Sequence, residues 1–124
     1  GPGVPVTLMG WEIEPASMTA MLLRFQSEYD KMPPIFITEN GAALRDMAES
    51  GRVVDLERAR YLHAHLLALR DAIAGGADVR GYFHWTAVDN YEWLHGYDPA
   101  AAFGLIDRER NIRPSASVLA AHAR

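Results

Sequence analysis

The 124-residue chain has no cysteine. This removes disulfides, thiolate zinc sites and cysteine nucleophiles together, and it fits a reducing, cytoplasmic setting. Positive charge is not in excess either: twelve Lys and Arg stand against sixteen Asp and Glu, a formal charge of −4. The basic residues are scattered, so the chain offers no field for a nucleic-acid backbone. No apolar run approaches the roughly 20 residues of a membrane span, and Gly1-Pro2-Gly3 does not open a signal peptide. Repeats are missing, and the alanine-rich end is the one biased segment. These absences leave a single segment, residues 1–124, away from membranes and nucleic acid, in which any nucleophile has to be a carboxylate, hydroxyl or imidazole.

With 49% hydrophobic and 23% charged residues, the chain has enough apolar surface for a core and an ordinary globular balance. After Pro15, the spacing of Met18, Met21, Leu22, Phe25 and Tyr29 predicts a helix over 16–29, stopped by Asp30 to Pro34. Ile35-Phe36-Ile37-Thr38 is short, β-branched and preceded by a double proline, which predicts a strand. Residues 41–54, with two glycines and several charges, read as a surface loop. Asp55 is placed to cap a second helix whose apolar stripe is Leu62, Leu66, Leu69 and Ile73, with Gly75-Gly76 as its stop. Val79 to Val88 is a second strand candidate. Residues 89–113 form a long loop with an unusual aromatic content, and Pro114 opens a last helix with little to bury. Helix, strand, helix, strand is an α/β order, and two strands joined through a helix are expected to be parallel neighbours.

Parallel strands end on one edge of a sheet, where α/β folds place their ligands. The sequence puts Glu39-Asn40 after the first strand and Asp89-Asn90-Tyr91-Glu92-Trp93 after the second. Alternation sets Ile35, Ile37 and Glu39 on one face of the first strand, and Phe83 and Trp85 on one face of the second. Carboxylates beside an indole plate suit a sugar, whose C–H faces pack on rings while its hydroxyls need acceptors. The same residues have plainer readings: Glu39 as a turn or helix-cap residue, Asp89-Asn90 as a turn, Trp85 and Trp93 as core. His63 and His65, two apart on a helix, point to opposite sides and cannot share a metal ion. Tyr82, His84 and Thr86 are expected to pack against helices, and Asp107-Arg108-Glu109-Arg110 reads as a solvated charge run.

Three segments taken together are specific. Gly10-Trp11-Glu12-Ile13, Ile37-Thr38-Glu39-Asn40-Gly41 and Gly81-Tyr82-Phe83-His84-Trp85-Thr86-Ala87-Val88-Asp89-Asn90-Tyr91-Glu92-Trp93 resemble, in order and spacing, the family 1 glycoside hydrolases of the retaining β-glucosidase and β-galactosidase type. The resemblance implies the C-terminal part of a (β/α)8 TIM barrel, with strand seven at residues 34–39 and strand eight at 80–87. It implies Glu39 as the nucleophile that forms a covalent glycosyl-enzyme. It further implies Trp85 as the floor under the sugar and Glu92 as acceptor for the hydroxyls at positions 4 and 6. Trp93 would donate to the neighbouring hydroxyl, and Phe103 would close the pocket near position 6. No metal and no cofactor are implied. Relatives acting on 6-phosphorylated sugars lack the carboxylate matched by Glu92, so the expected substrate is an unphosphorylated β-glucoside or β-galactoside.

A retaining enzyme needs a second carboxyl group about 5 to 5.5 Å from the nucleophile. In the family that group comes from a Thr-x-Asn-Glu-Pro segment on strand four, which this sequence does not contain. Two strands alone would also leave sheet edges and a barrel-lining face, read as Ile35, Ile37, Phe83 and Trp85, open to water. The expected partner is therefore a complementary polypeptide carrying barrel strands one to six. A non-catalytic sugar-binding or scaffold piece, and a transglycosylase, are the other outcomes the sequence allows.

Overall fold

The computed structural model describes residues 3–49 and 52–123. The first helix, α1, is Pro15–Glu28. Proline at its first turn brings a pre-set φ and no N–H to satisfy, and Ser17 Oγ donates to the Glu14 carbonyl at 2.6 Å. Leu22 is its buried residue, while Met21, Phe25 and Tyr29 of the predicted stripe remain exposed. Thr19 Oγ1 donates to the Ala68 carbonyl at 2.7 Å, tying α1 to the second helix.

Strand β1, Ile35–Asn40, is followed by a hairpin of β2, Met47–Glu49, and β3, Arg52–Val54, paired antiparallel. The expected surface loop is thus partly structured, and Ala42, Ala43 and Leu44 within it are buried. Helix α2, Leu56–Ala74, buries Leu62, Leu66, Leu69 and Ala72; Ile73 turns out to be exposed. Ala72 takes the place expected of Ile73, one residue earlier on the helical wheel. At its end Gly76 has φ +105°, a left-handed conformation that glycine adopts without strain. Strand β4, Val79–His84, stops four residues short of the predicted end. Beyond it the described residues make isolated bridges, Val88 with Ile106, Glu92 with Gly96 and Ile106 with Ile112. A short 3₁₀ turn at Pro99–Ala101 precedes the last helix, α3, Ser115–His122.

Strands β1 and β4 pair in parallel, with α2 between them in the chain. One face of this pair is covered. Ile35, Ile37, Val79 and Tyr82 pack on Leu22, Leu69, Ala72 and Ala77. Tyr82 also reaches a second cluster, in which Leu62, Leu66 and Leu105 meet Ala116, Val118 and Leu119 of α3. Helix α3 therefore buries more than its composition led one to expect. The other face is open: Phe36 is 54% and Phe83 59% exposed. This corrects the predicted barrel-lining set, because Ile35 and Ile37 belong to the helix side and Phe36 replaces them. Phe36 lies over Gly81, where any Cβ would collide with its ring. Among the described residues no helix is long and apolar enough to cross a membrane.

Candidate active site

Because β1 and β4 run parallel, both deliver their carboxyl ends to one edge. Near that edge the register slips. Ile37 pairs with Tyr82 and Asn40 with His84, so three steps along β1 match two along β4. The extra residue is a bulge, and bulges re-aim side chains. Thr38 and Glu39 are consequently both exposed, and Glu39 leaves the face of Ile35 and Ile37 on which strict alternation had placed it.

The bulge is anchored by the next residue. Asn40 accepts at Oδ1 from the Tyr82 hydroxyl at 2.9 Å and donates through Nδ2 to the Tyr61 hydroxyl at 3.3 Å. Its carbonyl accepts from the Trp85 backbone N–H at 3.0 Å. Burial raises the pKa of both phenols, further for Tyr82 because Tyr61 is its neighbour, so both remain neutral, Tyr82 as donor to Asn40 and Tyr61 as acceptor from it. Gly41 then passes so close to β4 that a Cβ there would overlap the Trp85 carbonyl oxygen. This close approach, more than a turn, is why glycine follows Glu39-Asn40.

The two strand ends and the loops beyond them enclose an open cleft of about 350 Å³ lined by Trp11, Glu39, Asn40, Gly41, Trp85, Glu92, Trp93 and Phe103. All five candidate residues meet there. Trp85 Nε1 donates to Glu92 Oε1 at 3.2 Å, which orients that carboxylate and leaves its second oxygen for a ligand. Phe103 is buried and lies 6.1 Å from Trp11, ring to ring, at a tilt of 43°. Trp93, 90% exposed, stands at the edge of the cleft almost wholly in solvent, so it is not core. Trp11, Asn40 and Gly41 were not assigned roles from the sequence, although all three lie in the quoted motifs. Among the described residues no three His, Asp or Glu side chains gather as a metal-binding group. His63 faces His122, Nδ1 to Nε2 at 3.1 Å, on the exposed side of α2 and α3.

Outside the lining of this cleft is an ionic network that the sequence did not reveal. Arg58, fully buried, donates to Asp46 at 2.7 Å, to Asp55 at 2.9 Å, and to the Leu44 and Ala102 carbonyls at 3.1 Å each. Asp55 precedes α2 but its side chain makes no capping bond to the backbone of that helix; it receives the backbone N–H and hydroxyl of Ser115 and so caps α3. Arg113 forks onto Asp89 at 2.9 and 3.0 Å, donates to Asp46 at 2.9 Å and to the Gly104 carbonyl at 2.8 Å. Burial alone would lower the Arg113 pKa, but Asp89 and Asp46 together raise it. Asp89 is thus an anchor and not a simple turn residue. Asp107 is also not solvated: it is buried and accepts from Asn111 at 2.8 and 2.9 Å. A larger cleft, about 520 Å³, is lined in part by Asp46, Asp89 and Arg113 of this network and holds none of the five candidates.

The sequence matches the model of glycosyl hydrolase family 1 over residues 1–120. It is 36% identical over 115 residues to 6-phospho-beta-galactosidase 1 of Streptococcus pneumoniae, covering 90% of this chain and 24% of that protein. To Beta-glucosidase A of Thermotoga maritima it is 43% identical over 104 residues, covering 83% of this chain and 23% of that protein. The fold superposes on the crystal structure of the psychrophilic beta-glucosidase of Micrococcus antarcticus with a TM-score of 0.87 and 42% identity, covering 98% of this chain and 28% of that one. The chain spans about a quarter of the length of the curated relatives it matches. Matched over nearly all of its length, the chain belongs to glycosyl hydrolase family 1.

Proposed function

We propose that this chain is the nucleophile-bearing part of a retaining β-glycosidase and that Glu39 attacks the anomeric carbon of a terminal β-glucoside or β-galactoside. The observation that carries this reading is the single cleft in which Glu39 faces Trp85, Glu92, Trp93 and Phe103. A sugar lying on the Trp85 indole would present its outer hydroxyls to Glu92 and Trp93 and its anomeric carbon to Glu39. Attack by the carboxylate forms the C1–O bond of a glycosyl-enzyme as the bond to the leaving oxygen breaks; water then releases the sugar with net retention. The group that protonates the leaving oxygen and later activates the water comes from outside this segment, because the other carboxylate of the cleft, Glu92, is engaged with Trp85.

The chain then corresponds to the C-terminal portion of a barrel, β1 and β4 being strands seven and eight. Its open face of Phe36 and Phe83 is where the polypeptide carrying strands one to six would sit. Of the two sugar classes named for its relatives, Glu92 favours the unphosphorylated one, since a second negative charge at position 6 would meet its carboxylate. A 2-fluoro β-glucoside, incubated with the protein assembled with its complement, should label one peptide, that containing Glu39. Labelling elsewhere, or sugar binding with no label and no turnover, would remove the assignment and leave a sugar-binding scaffold.

A further inference from the structure

We infer that Arg113 is a positioning residue that sets the glycone pocket through Asp89, an inference that rests on the reading of the cleft just given. The pocket residues come from separate stretches of chain: Glu39 from β1, Trp85 and Glu92 from the end of β4 and its loop, Phe103 from the segment after the 3₁₀ turn. Backbone bonds join the last two on either side of Gly104, from Thr86 N–H to the Phe103 carbonyl, from Leu105 N–H to the Thr86 carbonyl and from Ile106 N–H to the Ala87 carbonyl. At Gly104 itself the join is made by side chains, those of Asp89 and Arg113. The Asp89 carboxylate accepts the Gly104 backbone N–H at 2.7 Å, and Arg113 donates both to that carboxylate and to the Gly104 carbonyl at 2.8 Å. The N–H of the residue next to Phe103 is therefore fixed to the residue three before Glu92, and its carbonyl to the arginine that grips that same carboxylate. A side chain at Gly104 would collide with Asp89, so this approach is as close as the backbone permits.

The same guanidinium reaches the third stretch. Arg113 Nε donates to Asp46, which Arg58 also holds, and Arg58 spans from the Leu44 carbonyl to that of Ala102, the residue before Phe103. Arg113 is 4% and Asp89 10% exposed in their side chains, so the fork is shielded from water and its geometry is well defined. Arg113 itself is absent from the cleft lining. Its effect passes through the spacing of Glu92 from Phe103, the two groups that face positions 4 and 6 of the sugar.

Arg113→Lys keeps the charge and loses the fork. In the protein assembled with its complement, the ratio of kcat/KM for an aryl β-glucoside over an aryl β-xyloside, which lacks the 6-hydroxymethyl group, should fall about tenfold or more. The loss should lie in KM for the glucoside, with kcat for the xyloside and labelling of Glu39 by the 2-fluoro glycoside retained. A general loosening of the fold would lower both substrates alike. If Arg113→Lys does not fold, Asp89→Asn carries the same expectation. Wild-type protein that is not labelled at Glu39 overturns the underlying reading and this inference with it. Labelled protein whose glucoside to xyloside ratio is unchanged by either variant overturns this inference alone.

Discussion

Asp55, at the start of α2, has no exposed surface, and both of its oxygens are taken, by Arg58, the Ser115 N–H and the Ser115 hydroxyl. Glu39, in the cleft, is exposed and has no hydrogen-bond or ion-pair partner among the described residues. The two carboxylates lie only sixteen residues apart in the chain and do opposite work. A buried charge is tolerable only when fully paired, and once paired it fixes its surroundings. The nucleophile role proposed for Glu39 requires free lone pairs, and anchoring its neighbour leaves them free. Asn40 is held by Tyr61, Tyr82 and the Trp85 N–H, so Glu39 is placed without being occupied.

The largest effect should come from the free member of the pair. Glu39→Gln keeps shape and removes the nucleophile proposed above, so turnover of an aryl β-glucoside by the assembled protein should fall on the order of 10⁴-fold. The unfolding midpoint in urea should be unchanged, because no partner is lost. A large drop in midpoint would show that Glu39 is structural, and full turnover would show that it is not the nucleophile.

Asp55→Ala inverts the experiment. Arg58 loses one of its two carboxylate partners while buried, and α3 loses its cap, so stability should fall by about 3 to 5 kcal/mol. Urea unfolding followed by circular dichroism measures this. Where the variant is still folded, labelling of Glu39 should survive. A loss under about 1 kcal/mol would mean that Asp46 alone satisfies Arg58 and that the capping bond to Ser115 is worth little.

The same contrast explains what could be read from the sequence. Local patterns located α1, β1, α2 and the start of β4 to within a few residues, and the parallel pairing follows from the long helix between the strands. The five candidate residues of the cleft were accessible through the family resemblance; four of them lie in its short dense motifs at the ends of β1 and β4, and Phe103 lies after the 3₁₀ turn. The face of Glu39 was not, because a bulge of one residue reverses alternation and leaves no mark in composition. The pairings of Asp55 with Ser115 and of Asp89 with Arg113 join positions 60 and 24 residues apart. Nothing in either neighbourhood announces them; Asp55 looks like a cap for the helix it precedes and serves another. The three-residue strands of the β2–β3 hairpin are too short for alternation to be recognised.

The smallest predicted effect concerns the groups that hold Asn40 in place. His65 stacks on Tyr61 with ring centroids 3.9 Å apart, and His84 lies below Gly41, so both imidazoles adjoin the anchor of Glu39. Burial holds both below the ordinary histidine value of 6.5, and the Arg58 guanidinium adds to this for His84. The folded chain therefore takes up these protons at lower pH than the unfolded chain does. Above the ordinary value both states are neutral and the full stability is present. As pH falls below it, the unfolded chain is protonated first, and stability declines until the folded imidazoles titrate as well. The urea midpoint should thus be lower at about pH 5.5 than at about pH 7.5. Asp78 and Asp107, whose pKa values are held below the ordinary 3.8, lie outside that window. Replacing His65 and His84 together by Gln should flatten the decline, whereas a slope that persists in the double variant would place its origin elsewhere. Because the protons are absorbed beside Tyr61 and Gly41, the same acidification should slow 2-fluoro glycoside labelling of Glu39 less in the double variant than in wild type. That difference would separate an effect on the anchor of Glu39 from an effect on the Glu39 carboxylate itself.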